Sequence, residues 1–227
     1  MTEKKTQVKR IFDSISHRYD FLNHFLSVGV DFYWRKKSLK LSKISSNAIL
    51  LDIACGTGDF SIAANKMGVK KITGVDLSKN MLSHFNDKVT WSKGNLIQSV
   101  AEAIPLKSDY FTNITVAFGV RNFYDIKQGF EEFLRVLKQK GKVTILEFRL
   151  PKNVFIKNFY LFYFHKILPL IGKIVSKDNE AYTYLPESVD LFDSKIDLVK
   201  ILSEVGFKNI EKHSLTFGIV QVVIAQK

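Results

Sequence analysis

Leu51-Asp52-Ile53-Ala54-Cys55-Gly56-Thr57-Gly58-Asp59 is the stretch on which the reading of the chain turns. It grows out of Ala48-Ile49-Leu50-Leu51-Asp52-Ile53, a short apolar run with the length of a strand buried on both faces. Phe60 to Met67 then has the composition of a helix, ended by Gly68. Between them, Gly56 and Gly58 allow a tight turn and let a ligand reach the backbone with no Cβ in the way. The new helix presents its free N–H groups at the same point. Strand, glycine turn and helix in that order suit a nucleotide.

Working outward, the same alternation repeats. Lys71 to Val75 reads as a second strand stopped at Asp76, and Ser78 as the N-cap of a helix holding Met81, Leu82 and Phe85. Val89 to Trp91 is the expected third strand, Phe111 to Phe118 the fourth, Ile126 to Leu137 a helix and Lys142 to Phe148 the fifth strand. Strands alternating with helices imply parallel βαβ units with helices on both faces of one sheet. Residues 151–193 break the rhythm as an aromatic, apolar insertion followed by a polar loop. A last helix, Ile196 to Glu204, starts at Asp193 or Ser194 and is closed by Gly206. Lys208 to Leu215 and Ile219 to Ala225 alternate around Phe217-Gly218 as an antiparallel hairpin. The expected class is therefore α/β: a Rossmann-like, mostly parallel seven-stranded sheet with a C-terminal antiparallel hairpin. By fold analogy that ending favours a methyltransferase sheet over a dehydrogenase one.

The chain of 227 residues fits a single domain, 1–227, opened by a helical segment, 1–47, with ten Lys/Arg against four Asp/Glu. Val8, Ile11, Phe12 and Ile15 recur there at helical spacing. No apolar signal-peptide core follows the charged start, and the most apolar stretch, Phe155 to Val175, is interrupted by Lys157, Asn158, His165, Lys166 and Lys173. One cysteine, Cys55, rules out an internal disulfide and fits a reducing compartment. A net charge of +12 raises nucleic acid and anionic membranes as partners, beside an ordinary lysine-rich composition. Five scattered histidines show no metal-ligand spacing, so no metal is expected.

Asp76 lies 18 residues after Gly58, near the spacing at which a carboxylate meets ribose hydroxyls. That suits an adenosyl methyl donor or NAD. Ser61 stands where a dinucleotide pattern has its third glycine, and Asp52 precedes the turn by four residues. A carboxylate there attracts the cationic amino-acid end of S-adenosylmethionine and repels a pyrophosphate. A glycine turn that binds nothing stays as the bland alternative. Cys55 in this turn reads as a small packed side chain rather than a nucleophile.

Further motifs make the chain similar to the ubiquinone/menaquinone biosynthesis C-methyltransferase family over nearly its whole length. Phe12-Asp13-Ser14-Ile15 and Tyr19-Asp20-Phe21-Leu22-Asn23 resemble the family's N-terminal pattern; Gly56-Thr57-Gly58-Asp59 and Gly74-Val75-Asp76-Leu77-Ser78 with Met81-Leu82 resemble its cofactor motifs. More distinctive are Ala117-Phe118-Gly119-Val120-Arg121-Asn122-Phe123, Leu146-Glu147-Phe148 and Tyr182-x-Tyr184-Leu185-Pro186-Glu187-Ser188. The resemblance implies the class I S-adenosylmethionine-dependent fold and C-methylation of a prenylated demethylquinol. It leans to demethylmenaquinol, with a ubiquinone precursor as the alternative. It places Thr57 and Asp76 among the cofactor contacts, beside Asp52, Gly56 and Gly58. The next contact falls on Asn95 or on Ala101-Glu102, which an extra segment, Leu96 to Val100, separates. Ala117 takes a position where many members have serine.

Methyl transfer to a quinol ring needs orientation and a way to bear phenolate charge. Arg121 is the preferred catalytic residue, because a guanidinium stabilises a developing phenolate; Asn122 comes next, then Tyr182 and His165. The aromatic run Val154 to Ile167 suits an isoprenoid tail, with its lysines at anionic headgroups, or an ordinary cap over the sheet. The expected location is cytoplasmic, with peripheral contact at the inner face of the membrane; the oligomeric state stays open, a homodimer included. A nucleic-acid methyltransferase is disfavoured: no Asn/Asp-Pro-Pro-aromatic motif follows the fourth strand. Another lipid or small-molecule methyltransferase, and a non-catalytic subunit that only binds the donor, are the remaining rivals.

Overall fold

The computed structural model describes residues 3–18, 20, 24, 27–167 and 179–227. Seven strands form one sheet: β1 (Ile49–Ile53), β2 (Lys71–Asp76), β3 (Leu96–Gln98), β4 (Phe111–Ala117), β5 (Leu137–Phe148), β6 (Lys208–Leu215) and β7 (Val220–Gln226). Their order is β3-β2-β1-β4-β5-β7-β6. The first five run parallel, and β7 is antiparallel to both β5 and β6. The chain moves one way from β1 to β3, then resumes on the other side of β1 with β4. That reversal opens a crevice at the carboxyl ends of β1 and β4, where ligands of such sheets bind.

The central strand shows why the sheet forms. Leu51 and Ile53 face a core that contains Phe130 and Phe133 of α5 (Ile126–Val136) and Leu198 and Leu202 of α8 (Leu198–Val205). Leu50 faces the other core, with Trp34 and Leu39 of α2 (Val30–Leu41) and Phe60 and Ala64 of α3 (Asp59–Lys66). The helices start on local signals. Ser78 Oγ accepts from the Met81 N–H to cap α4 (Lys79–Lys88), and Asp125 caps α5 through the Gln128 N–H at 3.0 Å. Gly206, at φ 112°, closes α8 in the left-handed conformation glycine tolerates.

Four expectations need correction. Thr90–Ser92 is a 3₁₀ turn, and the third strand is Leu96–Gln98, inside what reads as an extra segment. Trp91 packs edge-on against Phe85 at 5.7 Å, and Gly94, at φ 79°, then turns the chain into β3. β5 starts at Leu137 with no loop after α5. The expected polar loop holds a helix, α7 (Asn179–Lys195), with Pro186 inside it. Asp197 rather than Asp193 or Ser194 caps the last helix.

Where it is described, the N-terminal segment holds α2 and, before it, α1 (Glu3–Ile15), which buries Val8 and Ile11. The insertion opens with α6 (Val154–Phe162), capped by Asn153 and followed by a π turn over Tyr163–Ile167. Among the described residues no helix is long and apolar enough to cross a membrane. Tyr19, Phe21, Leu22, Asn23, the Tyr182 side chain and residues 168–178 lie outside the described residues.

Candidate functional site

The turn after β1 is set by three left-handed residues, Ala54 at φ 51°, Gly56 at φ 54° and Gly58 at φ 89°. A Cβ on Gly58 would stand 2.3 Å from the Phe85 ring, so α4 presses directly on the turn. The opposite wall is equally close. A Cβ on Gly119, just beyond β4, would lie 2.5 Å from the Ala54 Cβ. Phe118, next to it, is also left-handed, at φ 56°. Two strained non-glycine residues at the tips of β1 and β4 mark the mouth of the crevice.

A cleft of about 780 Å³ opens there. Asp76 lines it from the tip of β2. Its Oδ2 accepts from the Gly56 N–H and its Oδ1 from the Ser78 N–H, each at 2.8 Å. Burial pushes its pKa up to about 6, against the lowering effect of those amides. Val75, Leu77, Met81, Ala101 and Phe123 give the cleft apolar walls, and Asn122 and Ala117 line it from the β4 side. From above it is closed by Val8, Lys9 and Phe12 of α1. Asp13 of the same helix bonds to the Ser78 hydroxyl, and Asp20 to that of Thr57.

A smaller recess of about 320 Å³ lies behind the turn and shares Ala54, Gly56 and Ala117 with the cleft. Asp52, Thr57 and Asp59 line it. Asp52 Oδ2 accepts from the Ser61 hydroxyl at 2.6 Å and N–H at 3.1 Å, and its Oδ1 from Thr115 at 2.8 Å. Burial nevertheless raises its pKa to about 6. Ser61, the third-glycine replacement, thus has a task of its own.

The structure brings Gly56, Asp76, Ala101, Glu102, Ala117 and Asn122 to the cleft, and Asp52 and Thr57 to the recess. Gly58 shapes the turn. Asn95 is not brought there: it precedes β3, where its carbonyl accepts from the Gly74 N–H and its side chain bonds to the Trp91 carbonyl. Glu102 lines the wall, and its Oε1 accepts from the Tyr124 and Asp125 N–H groups. Cys55 is buried against Leu82 and Phe85, and burial pushes its thiol well above the usual range.

Arg121 does not line the cleft. Its guanidinium is buried, with Nη1 2.7 Å from Glu147 Oε1 and 2.5 Å from the Phe118 carbonyl, and Nε 3.3 Å from Ser188 Oγ. What reaches the cleft is the next residue. Asn122 Oδ1 accepts from the Tyr184 hydroxyl at 2.7 Å, and Tyr184 is kept protonated by burial, with Glu147 adding to the shift and Arg121 opposing it. Sequence reasoning left Tyr184 and Glu147 without roles, although both sit in the motifs it singled out. His165 is exposed and pairs with Asp190 at 2.9 Å, away from the cleft lining. Among the described residues one group has metal-ligand proximity, Asp20, His24 and Asp59. The Lys88 ammonium already pairs with both carboxylates, 2.6 Å from Asp20 and 2.8 Å from Asp59.

The cleft thus combines a buried carboxylate, apolar walls and a polar neighbouring recess. Known proteins share the fold. The fold matches a SAM-dependent methyltransferase from Thermotoga maritima, with a TM-score of 0.68 at 16% identity over 96% of this chain and 99% of that one. It also matches one from Aquifex aeolicus, with a TM-score of 0.59 at 18% identity over 85% and 88%. By sequence the chain is 45% identical to the ubiquinone/menaquinone biosynthesis C-methyltransferase UbiE of Geotalea daltonii, covering 100% of this chain and 99% of that protein. It is 39% identical to the demethylmenaquinone methyltransferase of Chlorobaculum tepidum, covering 100% and 94%. The family model described as ubiE/COQ5 methyltransferase spans residues 1–227. The chain is a methyltransferase that belongs to the ubiE/COQ5 family, with S-adenosylmethionine as its methyl donor.

Proposed function

We propose that the protein transfers a methyl group to a ring carbon of a prenylated demethylquinol, with demethylmenaquinol as the substrate. Menaquinone appears in the names of both relatives above. The observation that supports the reading best is one cleft lined by both Asp76 and Asn122, with Asn122 held by the Tyr184 hydroxyl.

The donor's sulfonium supplies an electrophilic methyl, so no metal is required for that half of the reaction. Asp76 accepts from the ribose hydroxyls, Asp52 and Thr57 line the amino-acid end, and Gly56, Ala101, Glu102 and Ala117 shape the walls. Asn122 presents a carboxamide whose orientation Tyr184 fixes, placing a hydrogen-bond donor for the quinol oxygen as it gains phenolate character. Arg121 acts one step back. Its cation, paired with Glu147, fixes the Phe118 carbonyl and the turn that carries Asn122.

The prenyl tail and the membrane belong to the same picture. Phe155, Phe159 and Phe162 recur at helical spacing on α6 and are 86%, 73% and 58% exposed. Lys152, Lys157 and Lys166 surround them in sequence. An apolar face rimmed by lysines suits an anionic bilayer, from which the lipid-soluble quinol is drawn. The protein then works from the cytoplasmic side as a peripheral visitor.

Incubation with labelled donor and, separately, demethylmenaquinol and a ubiquinone precursor, followed by mass analysis, tests the assignment. The naphthoquinol should gain one methyl on carbon. Methylation of the benzoquinol alone, or on oxygen, would replace it.

A further inference from the structure

The recess behind the glycine turn contains a cation that none of the residues discussed so far supplies. Arg35, on α2, is buried and lines that recess beside Asp52, Gly56, Thr57 and Asp59. Among the described residues lining it, Arg35 alone is a cation. One part of its guanidinium is used. Nη1 lies 2.5 Å from Asp31 Oδ2, and Asp31 is held in turn by His24 Nδ1 and the Ser27 hydroxyl, each at 2.8 Å.

The other edge makes no hydrogen bond among the described residues. Among the described residues Nε is buried without a hydrogen-bond partner, and Nη2 stands 3.6 Å from Asp59 Oδ2, beyond a normal hydrogen bond. Nε and Nη2 are two of the donors that a carboxylate engages in parallel. A buried donor left unmet is costly, so such an edge makes sense where a ligand completes it. The same recess also offers a carboxylate. Burial works to raise the Asp59 pKa, but Arg35 and Lys88 outweigh it and hold the carboxyl below its usual value. Opposite charges about a small cavity match a zwitterion.

We propose that the Nε–Nη2 edge of Arg35 receives the α-carboxylate of the methyl donor, leaving the α-ammonium to Asp52 and Asp59; this rests on the reading of the cleft as the donor site. The recess borders the cleft, with Ala54, Gly56 and Ala117 in the lining of both, so the amino-acid arm of an adenosyl group at Asp76 has Arg35 in the neighbouring recess. Trp34-Arg35-Lys36-Lys37 reads in the sequence as part of a basic segment, and only packing distinguishes Arg35, 5% exposed, from its exposed neighbour Lys36.

Calorimetric titration of the whole chain with S-adenosylhomocysteine and with its decarboxylated analogue tests this. The analogue keeps the adenosine, the sulfur and the amine. Wild-type protein should prefer the intact compound by roughly 30-fold or more, the usual scale for a buried charge pair. Arg35→Gln should lose that preference while binding the analogue as wild type does, which also shows that the adenosine end remains intact. Arg35→Lys keeps the buried positive charge beside Asp31 but lacks the fork, and should fall between the two. A preference that survives in both variants overturns the proposal. So does an equal loss for both compounds, which would make Arg35 only a packing element of α2. Wild-type protein that binds neither compound would remove the donor-site reading itself, a result distinct from the others.

Discussion

Asp76 Oδ2 accepts a hydrogen bond from the Gly56 N–H at 2.8 Å, tying the tip of β2 to the turn after β1. The carboxylate therefore does two things: it fixes the turn and it faces the cleft. Asp76→Asn keeps the size but removes the charge and one acceptor. Loss of a charged hydrogen bond is worth about 1.5–3 kcal/mol, so donor affinity should fall by roughly 10- to 150-fold. Titration with S-adenosylhomocysteine reads this directly, and a variant that binds as wild type does would detach Asp76 from the ribose.

Gly58 has no room for a side chain. Gly58→Ala sets a Cβ 2.3 Å from the Phe85 ring at a φ of +89° that L-residues rarely adopt. Overpacking of this kind costs about 1–3 kcal/mol, with backbone strain added. Urea unfolding should show the loss, and Phe85→Leu in the same chain should recover part of it. Unchanged stability in Gly58→Ala would mean that α4 does not press on the turn.

Donor binding should weaken in acid. Burial raises both Asp52 and Asp76 from 3.8 to about 6. A raised carboxyl pKa contributes to the stability of the free protein fully below 3.8, and that contribution is lost as pH rises through about 6. The cationic donor wants both groups ionised, so binding reverses the balance: affinity is full above about pH 7 and falls as pH drops through 6. The thermal shift produced by S-adenosylhomocysteine should accordingly be larger at pH 8 than at pH 5. An equal shift at the two values would contradict the assigned protonation.

Arg121 and Asn122 should separate in their effects. Arg121→Ala leaves the Glu147 carboxylate buried without its partner, a change that costs about 3–5 kcal/mol in comparable sites. It should lower turnover through misplacement of the Asn122 turn while donor affinity holds. Asn122→Ala and Tyr184→Phe leave that ion pair intact. They should lower kcat with little change in donor binding, the second more mildly. Full turnover in Asn122→Ala would move the phenolate contact elsewhere.

The exposed face of α6 should bind anionic vesicles. Phe155→Ser with Phe159→Ser should reduce co-sedimentation with phosphatidylglycerol vesicles, and added salt should do the same to the wild type. Activity on a soluble, short-tailed quinol should survive the double change. Undiminished sedimentation would leave α6 as a cap alone.

The geometry of the glycine turn was legible because its spacing is local. Strand, glycines, Ser61 and the Asp76 strand end are spaced by the βα unit itself, and Ser78 caps the helix it was expected to cap. What the sequence concealed depends on distant packing. Nothing near Arg35 indicates that α2 buries it behind the glycine turn, and nothing near Arg121 says that Glu147, 26 positions away, will claim its guanidinium. β3 was misplaced for a related reason. Leu96–Gln98 is three residues long, too short for alternation to show, while Val89 to Trp91 carries strand-favouring β-branched and aromatic side chains but spends Trp91 on Phe85. Helix α7 was hidden by Pro186, which lies inside it, and by polar side chains that suggest a loop.

The mechanism turns on whether this cleft holds the adenosyl methyl donor, whose demethylated product keeps the same adenosine and amino-acid groups. Isothermal titration of the folded, wild-type chain with S-adenosylhomocysteine is the most direct measurement. Saturable heat at one molecule per chain, abolished or strongly weakened in Asp76→Asn, is the predicted result. No heat from a chain that still unfolds cooperatively would contradict it.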